Sequence, residues 1–364
     1  VRAAWAGIDP AKVWDAHAHL VGSGDSGSGI FVSPRSESVF SPGEYARHRF
    51  FLNAGCVDRH AGSVDRAYVE RLRALLGGMA PGAKLLLFAF ERTYREDGAP
   101  DPERTSLHVP DAYARDVAQA HPRHFEWVAS IHPYRRDCLD ALEAARKEGA
   151  RAVKWLPAVM NIDPASPRCD RFYESLAKNN IPLISHAGLA RAVIGADLQD
   201  LGNPLRLRRT LEAGVRVVVP HCASMGKDRD LDKGENGPYV ESFSLFTRLF
   251  QESRFEKSLF GDISAIPQIN RAAPALSRLL ERPEWHARLL NGSDYPLPGV
   301  MPIFSVDYLV SLELLDAAAA PVLKEIRGYN PLLFDFVLKR HLRSGGKGFA
   351  KSVFETRGFF ERAV

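Results

Sequence analysis

The first residues in this sequence whose types and spacing could do chemistry are the two histidines of Asp15-Ala16-His17-Ala18-His19. Val13-Trp14 before them and Leu20 after them give the stretch the apolar flanks of a short strand. Alternate strand side chains share a face, so His17 and His19 are expected on one side, about 7 Å apart along the backbone, with the alanines turned away. Imidazoles so placed can close on one metal ion, and a rigid strand presents them at little entropic cost. The same pair could simply be two polar residues on a half-exposed strand, so other strand ends decide the matter. Lys154 stands near the end of one apolar run, and His186, His221 and Asp294 each terminate another. Ionisable groups buried together are costly unless something compensates them, and a divalent cation compensates several at once.

The elements that must position these residues are eight apolar runs of strand length, at 13–20, 84–90, 125–133, 150–157, 181–186, 215–221, 258–264 and 288–294. Near-continuous apolar runs, as opposed to clean alternation, belong to a parallel sheet buried on both faces. Helical spacing fills gaps between them: 137–148 with Gly149 as a stop, 170–179, 204–213 before Gly214, and 239–251. Strand and helix alternating eight times predict an α/β chain folded as a (β/α)8 barrel. A doubly wound sheet would place a phosphate-binding glycine turn after its first strand. The run Gly22–Gly29 lacks that spacing and no helical pattern follows it promptly, so it is read as a flexible loop. Two connections, 21–83 and 91–124, are too long for simple crossovers. Loops after barrel strands gather at the face where barrel enzymes keep their chemistry, so both are candidate lids or substrate walls, with surface decoration or a subunit contact as the alternative.

With 364 residues, 45% of them hydrophobic, the chain is expected to form a single domain over 1–364. The net charge of +4 comes from 48 basic and 44 acidic residues, well mixed along the chain, which gives no support to nucleic-acid or membrane partners. A small-molecule substrate is the expected partner, and a homo-oligomer is compatible with everything in the sequence. The four cysteines, Cys56, Cys138, Cys169 and Cys222, are far apart and form no C-x-x-C pair, so reduced thiols and a cytoplasmic location are expected. No stretch approaches the roughly 20 apolar residues of a membrane span. The sequence starts Val1-Arg2, and a targeting segment removed from ahead of it is an open alternative.

Taken in order, the strand-end motifs resemble the amidohydrolase superfamily of metal-dependent barrel enzymes, and within it the amidohydrolase-related branch that also includes aromatic-acid decarboxylases. The resemblance rests on Asp15-Ala16-His17-Ala18-His19, Ser185-His186-Ala187-Gly188, Val219-Pro220-His221-Cys222 and Asn291-Gly292-Ser293-Asp294-Tyr295-Pro296. Tyr329-Asn330-Pro331-Leu332-Leu333-Phe334 is similar to the family's closing helix, with Asn at its start and Phe packing it on the barrel. The resemblance covers about residues 13–340 and implies that His17 and His19 are a first-strand ligand pair, His186 a fifth-strand ligand, and Asp294 a carboxylate that binds metal and handles the proton of the attacking water. It implies for His221 either a second metal or polarisation of the substrate. For Lys154 it implies a carboxylated bridge between two metals or a contact to a substrate oxyanion; a lysine snorkelling at the barrel rim is the alternative. Ala187-Gly188 departs from the bulkier polar sequence of the decarboxylases and is read as leaving space beside His186, which counts against decarboxylation.

The reaction expected from these parts is metal-dependent hydrolysis of an amide, lactone or ester, with one or two divalent ions, zinc first among them. A zinc-like ion with an open position makes the water it binds acidic enough to attack near neutral pH; Asp294 would take the proton, and His221 and Lys154 would stabilise the oxyanion. A decarboxylase or hydratase acting on a small aromatic or unsaturated acid is the main alternative, and a non-catalytic binding protein on the same scaffold a further one. Arg47, His48 and Arg49 could meet an anionic substrate group or form a solvated basic turn. Trp155 and Tyr295 could wall the substrate site, although Trp155 could equally face the helices.

Overall fold

A computed structural model describes the chain apart from residues 58–61, 191–197, 235 and 362–364, and apart from the side chain of Arg47. Eight parallel strands alternate with helices: β1 (Trp14–His19), β2 (Lys84–Phe88), β3 (Phe125–Val128), β4 (Val153–Trp155), β5 (Leu183–Ser185), β6 (Val217–Val219), β7 (Leu259–Asp262) and β8 (Leu289–Leu290). β1, β2 and β3 form one arc and β4 to β8 a second. Parallel bridges join the arcs at both seams, Ala129 with Val153 and Ala18 with Tyr295, so the predicted (β/α)8 ring is present. Its inner layer at one end holds Trp14, Ala16, Leu86, Val128, Ile184 and Val218, plugged by Phe360 of the C-terminal helix Arg357–Phe360. Residues one step along each strand, such as Leu85, Leu87, Leu183 and Val217, face outward into the larger core beneath the helices.

β1 breaks its own alternation. Three steps from Asp15 to Ala18 oppose two on β2, from Leu85 to Leu87, which is a bulge. A bulge shifts the phase of side chains and re-aims them. Ala16 therefore packs inside with Trp14, whereas Ala18 lies in the outer core, and His17 and His19 both reach the cavity at the carboxyl end of the barrel. The expectation that both alanines turn away holds for Ala18 and not for Ala16.

The connection after β1 contains α1 (Pro42–Ala54) and then the regular barrel helix α2 (Val64–Gly77). The one after β2 contains Leu107–His108 and the regular α3 (Asp111–Ala120). Phe31–Val32 pairs antiparallel with Leu107–His108, so the two long connections are stitched into one wall over the barrel mouth. The Gly22–Gly29 run, read as flexible, is laced to a buried carboxylate: Asp65 accepts from the backbone N–H of Ser23 (2.8 Å) and Gly24 (3.1 Å) and from the hydroxyls of Ser26 (2.8 Å) and Ser28 (2.7 Å). Asp25 returns the favour by accepting from the N–H of Val64 (2.6 Å) at the start of α2.

The four helices expected from spacing are α4 (Cys138–Lys147), α5 (Asp170–Lys178), α6 (Arg208–Glu212) and α7 (Ser242–Phe250); α8 (Ala272–Glu281) and the helices Val306–Ser311 and Ala320–Tyr329 lie outside that expectation, and α9 (Pro331–His341) is the closing helix. Two bounds differ. Residues 239–241 form a strand paired with Lys227–Arg229 before α7 begins, and 204–207 are a tighter 3-10 turn started by proline. At α9, the Asn330 side chain caps the helix by accepting from the Leu333 N–H (3.0 Å), and Phe334 is fully buried. The four cysteines are free thiols. Among the described residues no helix is long and apolar enough to cross a membrane.

His132, just past β3, gives the fold an acid-sensitive point. Its Nε2–H donates to the Met160 carbonyl (2.8 Å) and its Nδ1 accepts from the Tyr134 N–H (3.1 Å), a pairing open only to the neutral ring. Burial pulls its pKa from 6.5 down to about 3. Between those values the unfolded chain binds a proton that the native state refuses. The stability it contributes is therefore present above pH 6.5 and is lost as pH falls toward 3, by up to about 1.4 kcal/mol per pH unit. His132→Gln is expected to shrink the difference in unfolding free energy between pH 7 and pH 5 by about 2 kcal/mol, read from urea melts. Parallel wild-type and variant curves would contradict this.

Candidate metal centre

The carboxyl ends of the strands surround a cavity of about 500 Å³. His17, His19, Lys154, His186, His221 and Asp294 all line it, so the side chains singled out at strand ends do meet, although they are spread along most of the chain. Apolar groups supply the rest of the wall, among them Phe50 and Phe51 from α1, Phe88 and Phe90 from the β2 end, and Leu107.

Hydrogen bonds fix which ring nitrogen of His17 and of His221 faces inward. His17 Nδ1–H donates to Asp262 Oδ2 (2.8 Å), and His221 Nδ1–H donates to the Ser264 carbonyl (2.9 Å). Both rings therefore present an unprotonated Nε2 to Asp294: His17 Nε2 lies 3.4 Å from Oδ1 and His221 Nε2 lies 3.8 Å from Oδ2. His19 Nε2 approaches Oδ1 from the open side at 3.1 Å. The ligand atoms of His17, His221 and Asp294 lie within 4.8 Å of one another. Acceptors do not gather around a buried carboxylate without a cation or proton between them, so this donor set fits a divalent ion. His186 stands at the margin, its ring centre 5.6 Å from that of His221. The tight set thus contains His221, for which the resemblance implies either a second metal or polarisation of the substrate.

The electrostatics agree with that assignment. Burial pushes His17, His186 and His221 well below the ordinary imidazole value, with Lys154 adding to the effect on all three, so they are neutral as ligands must be. Burial opposes the charge of Asp294, but the His19 hydrogen bond and the Arg271 charge favour it, and the carboxyl lies below its usual range. Burial lowers Lys154 to about 8, against the pull of Asp262 and Asp294.

Backbone geometry tightens the site. His221, Cys222, Ala223 and Asp294 all sit at positive φ between 49° and 60°, a conformation costing non-glycine residues on the order of 1–3 kcal/mol each. Asp15 ties β1 to the turn after β8 by accepting from the N–H of His17 (3.1 Å) and of Ser293 (2.8 Å), and Lys339 of α9 donates to the Gly292 carbonyl (2.6 Å). Only glycine fits at 292, because a Cβ there would lie 2.6 Å from the Cβ of His17.

Several residues that carry this arrangement were not singled out from the sequence. Asp262 accepts from His17, from the N–H of His221 (2.9 Å) and from the N–H and hydroxyl of Ser264. The signal was available, since Asp262 is an ionisable residue inside the seventh apolar run, two positions before its end. Asp15, Ser264, Gln268 and Arg271 gave no comparable signal.

Three expectations are corrected. Trp155 does not wall the substrate site: it is fully buried, donates from Nε1 to the Ile131 carbonyl (2.7 Å) and stacks on Phe172 of α5. Tyr295 lies outside the cavity as well, buried against Tyr68 with its hydroxyl on the Gly55 carbonyl (3.3 Å). Ala187-Gly188 leaves no space, because a Cβ on Gly188 would meet the Met225 carbonyl at 2.7 Å; the argument it supplied against decarboxylation falls with it. In the basic turn of α1, His48 lines the cavity and Arg49 donates to the Tyr45 hydroxyl (2.7 Å), while the side chain of Arg47 lies outside the described residues.

Comparison with solved structures places the fold among TIM barrels. An uncharacterized TIM-barrel protein from Bordetella bronchiseptica superposes with a TM-score of 0.51 at 17% identity, over 89% of this chain and 99% of that one. The manganese-bound 5-carboxyvanillate decarboxylase of Novosphingobium aromaticivorans gives 0.48 at 11% identity, over 96% of each chain. The 4-oxalomesaconate hydratase of Rhodopseudomonas palustris gives 0.45 at 14% identity, over 90% of this chain and 98% of that one. No curated protein sequence matches. The amidohydrolase family model, of the amidohydrolase 2 type, matches residues 14–332, a span that opens on β1 and runs into α9, and the chain belongs to that family.

Proposed function

We propose that the protein is a metal-dependent hydrolase that cleaves an amide, lactone or ester bond of a small molecule. The observation that carries this reading is the convergence of the Nε2 atoms of His17, His19 and His221 on the two oxygens of Asp294. His17, His19, His221 and Asp294 would hold the ion, with His186 beside them at the cavity wall. When bound, a divalent ion there supplies Lewis acidity toward a substrate oxygen or a water. Asp294, held ionised, takes the proton of the attacking water and passes it to the leaving group. Lys154, its ammonium above the Phe88 ring at 5.3 Å and its pKa near 8, donates to oxygen as negative charge develops. Asp262 and Ser264 hold the rings of His17 and His221 in the tautomer this needs.

The test is a panel of aryl esters, lactones and anilides scored for acid release by the zinc- or manganese-loaded protein, beside aromatic carboxylic acids scored for CO2. Metal-dependent acid release from one panel member supports hydrolysis. CO2 release with an inert hydrolysis panel would replace the hydrolase by a lyase on the same residues.

A further inference from the structure

The loop after β7 places two polar side chains in the cavity wall without protein partners for all their donors. Gln268 and Arg271 are 5% and 7% exposed, line the cavity, and are tied by the backbone bond from the Arg271 N–H to the Gln268 carbonyl (2.9 Å). Arg271 reaches Ser224 Oγ through Nη1 (3.3 Å), but its Nε and the Nε2 of Gln268 are buried with no acceptor. Among the described residues no carboxylate comes within ion-pair distance of Arg271. Buried donors of this kind are normally satisfied, and a guanidinium is shaped to grip a planar anion.

The charge inventory points the same way. Arg271 brings a buried guanidinium to the cavity wall, and Glu44, an acidic lining residue, is only half-buried. An anionic group on the substrate is what would pair with that guanidinium inside largely apolar walls.

We propose that the substrate carries a carboxylate on an apolar body, and that Arg271 and Gln268 bind that carboxylate. The assignment rests on the reading of this cavity as the reaction site and narrows its substrate class. The bond to be cleaved then lies toward Asp294 and Lys154, while the apolar body rests against Phe88, Phe90 and the phenylalanines of α1.

The probes are 3-phenylpropanoate and 3-phenylpropan-1-ol, titrated calorimetrically into the metal-free and the manganese-loaded protein. The wild type is expected to bind the carboxylate at least about ten-fold more tightly than the alcohol in both forms, and Arg271→Met to lose that preference while its manganese content is unchanged. Gln268→Met is expected to lose part of it. No carboxylate preference in the wild type, or a preference undiminished in Arg271→Met, overturns the assignment. Should Arg271→Met fail to fold, Arg271→Lys carries the test: an ammonium cannot give the two parallel donors, so the preference should fall several-fold, and an unchanged preference overturns the proposal. A protein that binds no manganese yet keeps an Arg271-dependent carboxylate preference would sink the metal centre and leave the carboxylate assignment standing.

Discussion

Asp294→Asn is expected to lower turnover by about 10³-fold or more at saturating metal, with the fold intact. Removing a general base alone costs about 10²–10⁴-fold, and here the same carboxylate faces His17, His19 and His221. The variant should still fold, because position 294 is left-handed at φ 60° and asparagine tolerates that conformation better than most residues. The asparagine carbonyl can still face the imidazoles, so metal should remain measurable by elemental analysis, although more weakly held. Steady-state kinetics on the panel substrate turned over fastest by the wild type check this. Turnover within ten-fold of wild type would remove Asp294 from the chemistry.

The second large effect is expected from a residue that touches no substrate. Asp262→Asn should weaken metal affinity by about 10- to 100-fold, the usual range for losing the partner of a metal-binding histidine. In the wild type Asp262 accepts from His17 Nδ1–H and so leaves Nε2 free as a ligand. An amide can turn its NH2 toward Nδ1, which then becomes the acceptor and moves the proton to Nε2, where it blocks coordination. Competition with a chromophoric chelator measures the affinity. His17 tautomers read by nitrogen NMR add a signature that a merely structural role would not move: the wild-type ring protonated at Nδ1, the variant at Nε2. An unchanged tautomer with unchanged affinity would refute the positioning role.

The barrel and the residues at its mouth were legible because both leave local marks. Buried parallel strands read as apolar runs, and an ionisable residue at the end of such a run is conspicuous, which is how His186, His221 and Asp294 stand out. Asp262, inside its run and two positions before the end, leaves a similar mark. Arg271 and Gln268 do not, since they lie in a loop where polar residues are ordinary and only the tertiary fold shows them buried with unsatisfied donors. The outward orientation of Trp155 was equally hidden, because a strand with two buried faces gives no pattern by which to tell them apart. The phase shift at the β1 bulge depends on pairing with β2, and the lacing of Gly22–Gly29 depends on Asp65, some forty residues away. Neither is written in its own stretch of sequence.

In the proposed function the imidazoles of β1 and of the turn after β6 and the carboxylate after β8 hold one cation between them. Anomalous diffraction at the manganese or zinc edge from metal-soaked crystals tests it most directly. The expected result is a peak about 2.0–2.2 Å from His17 Nε2 and from an Asp294 oxygen, with His221 turned toward it. A crystal that takes up the ion elsewhere, leaving His17 and Asp294 without a peak between them, would contradict it.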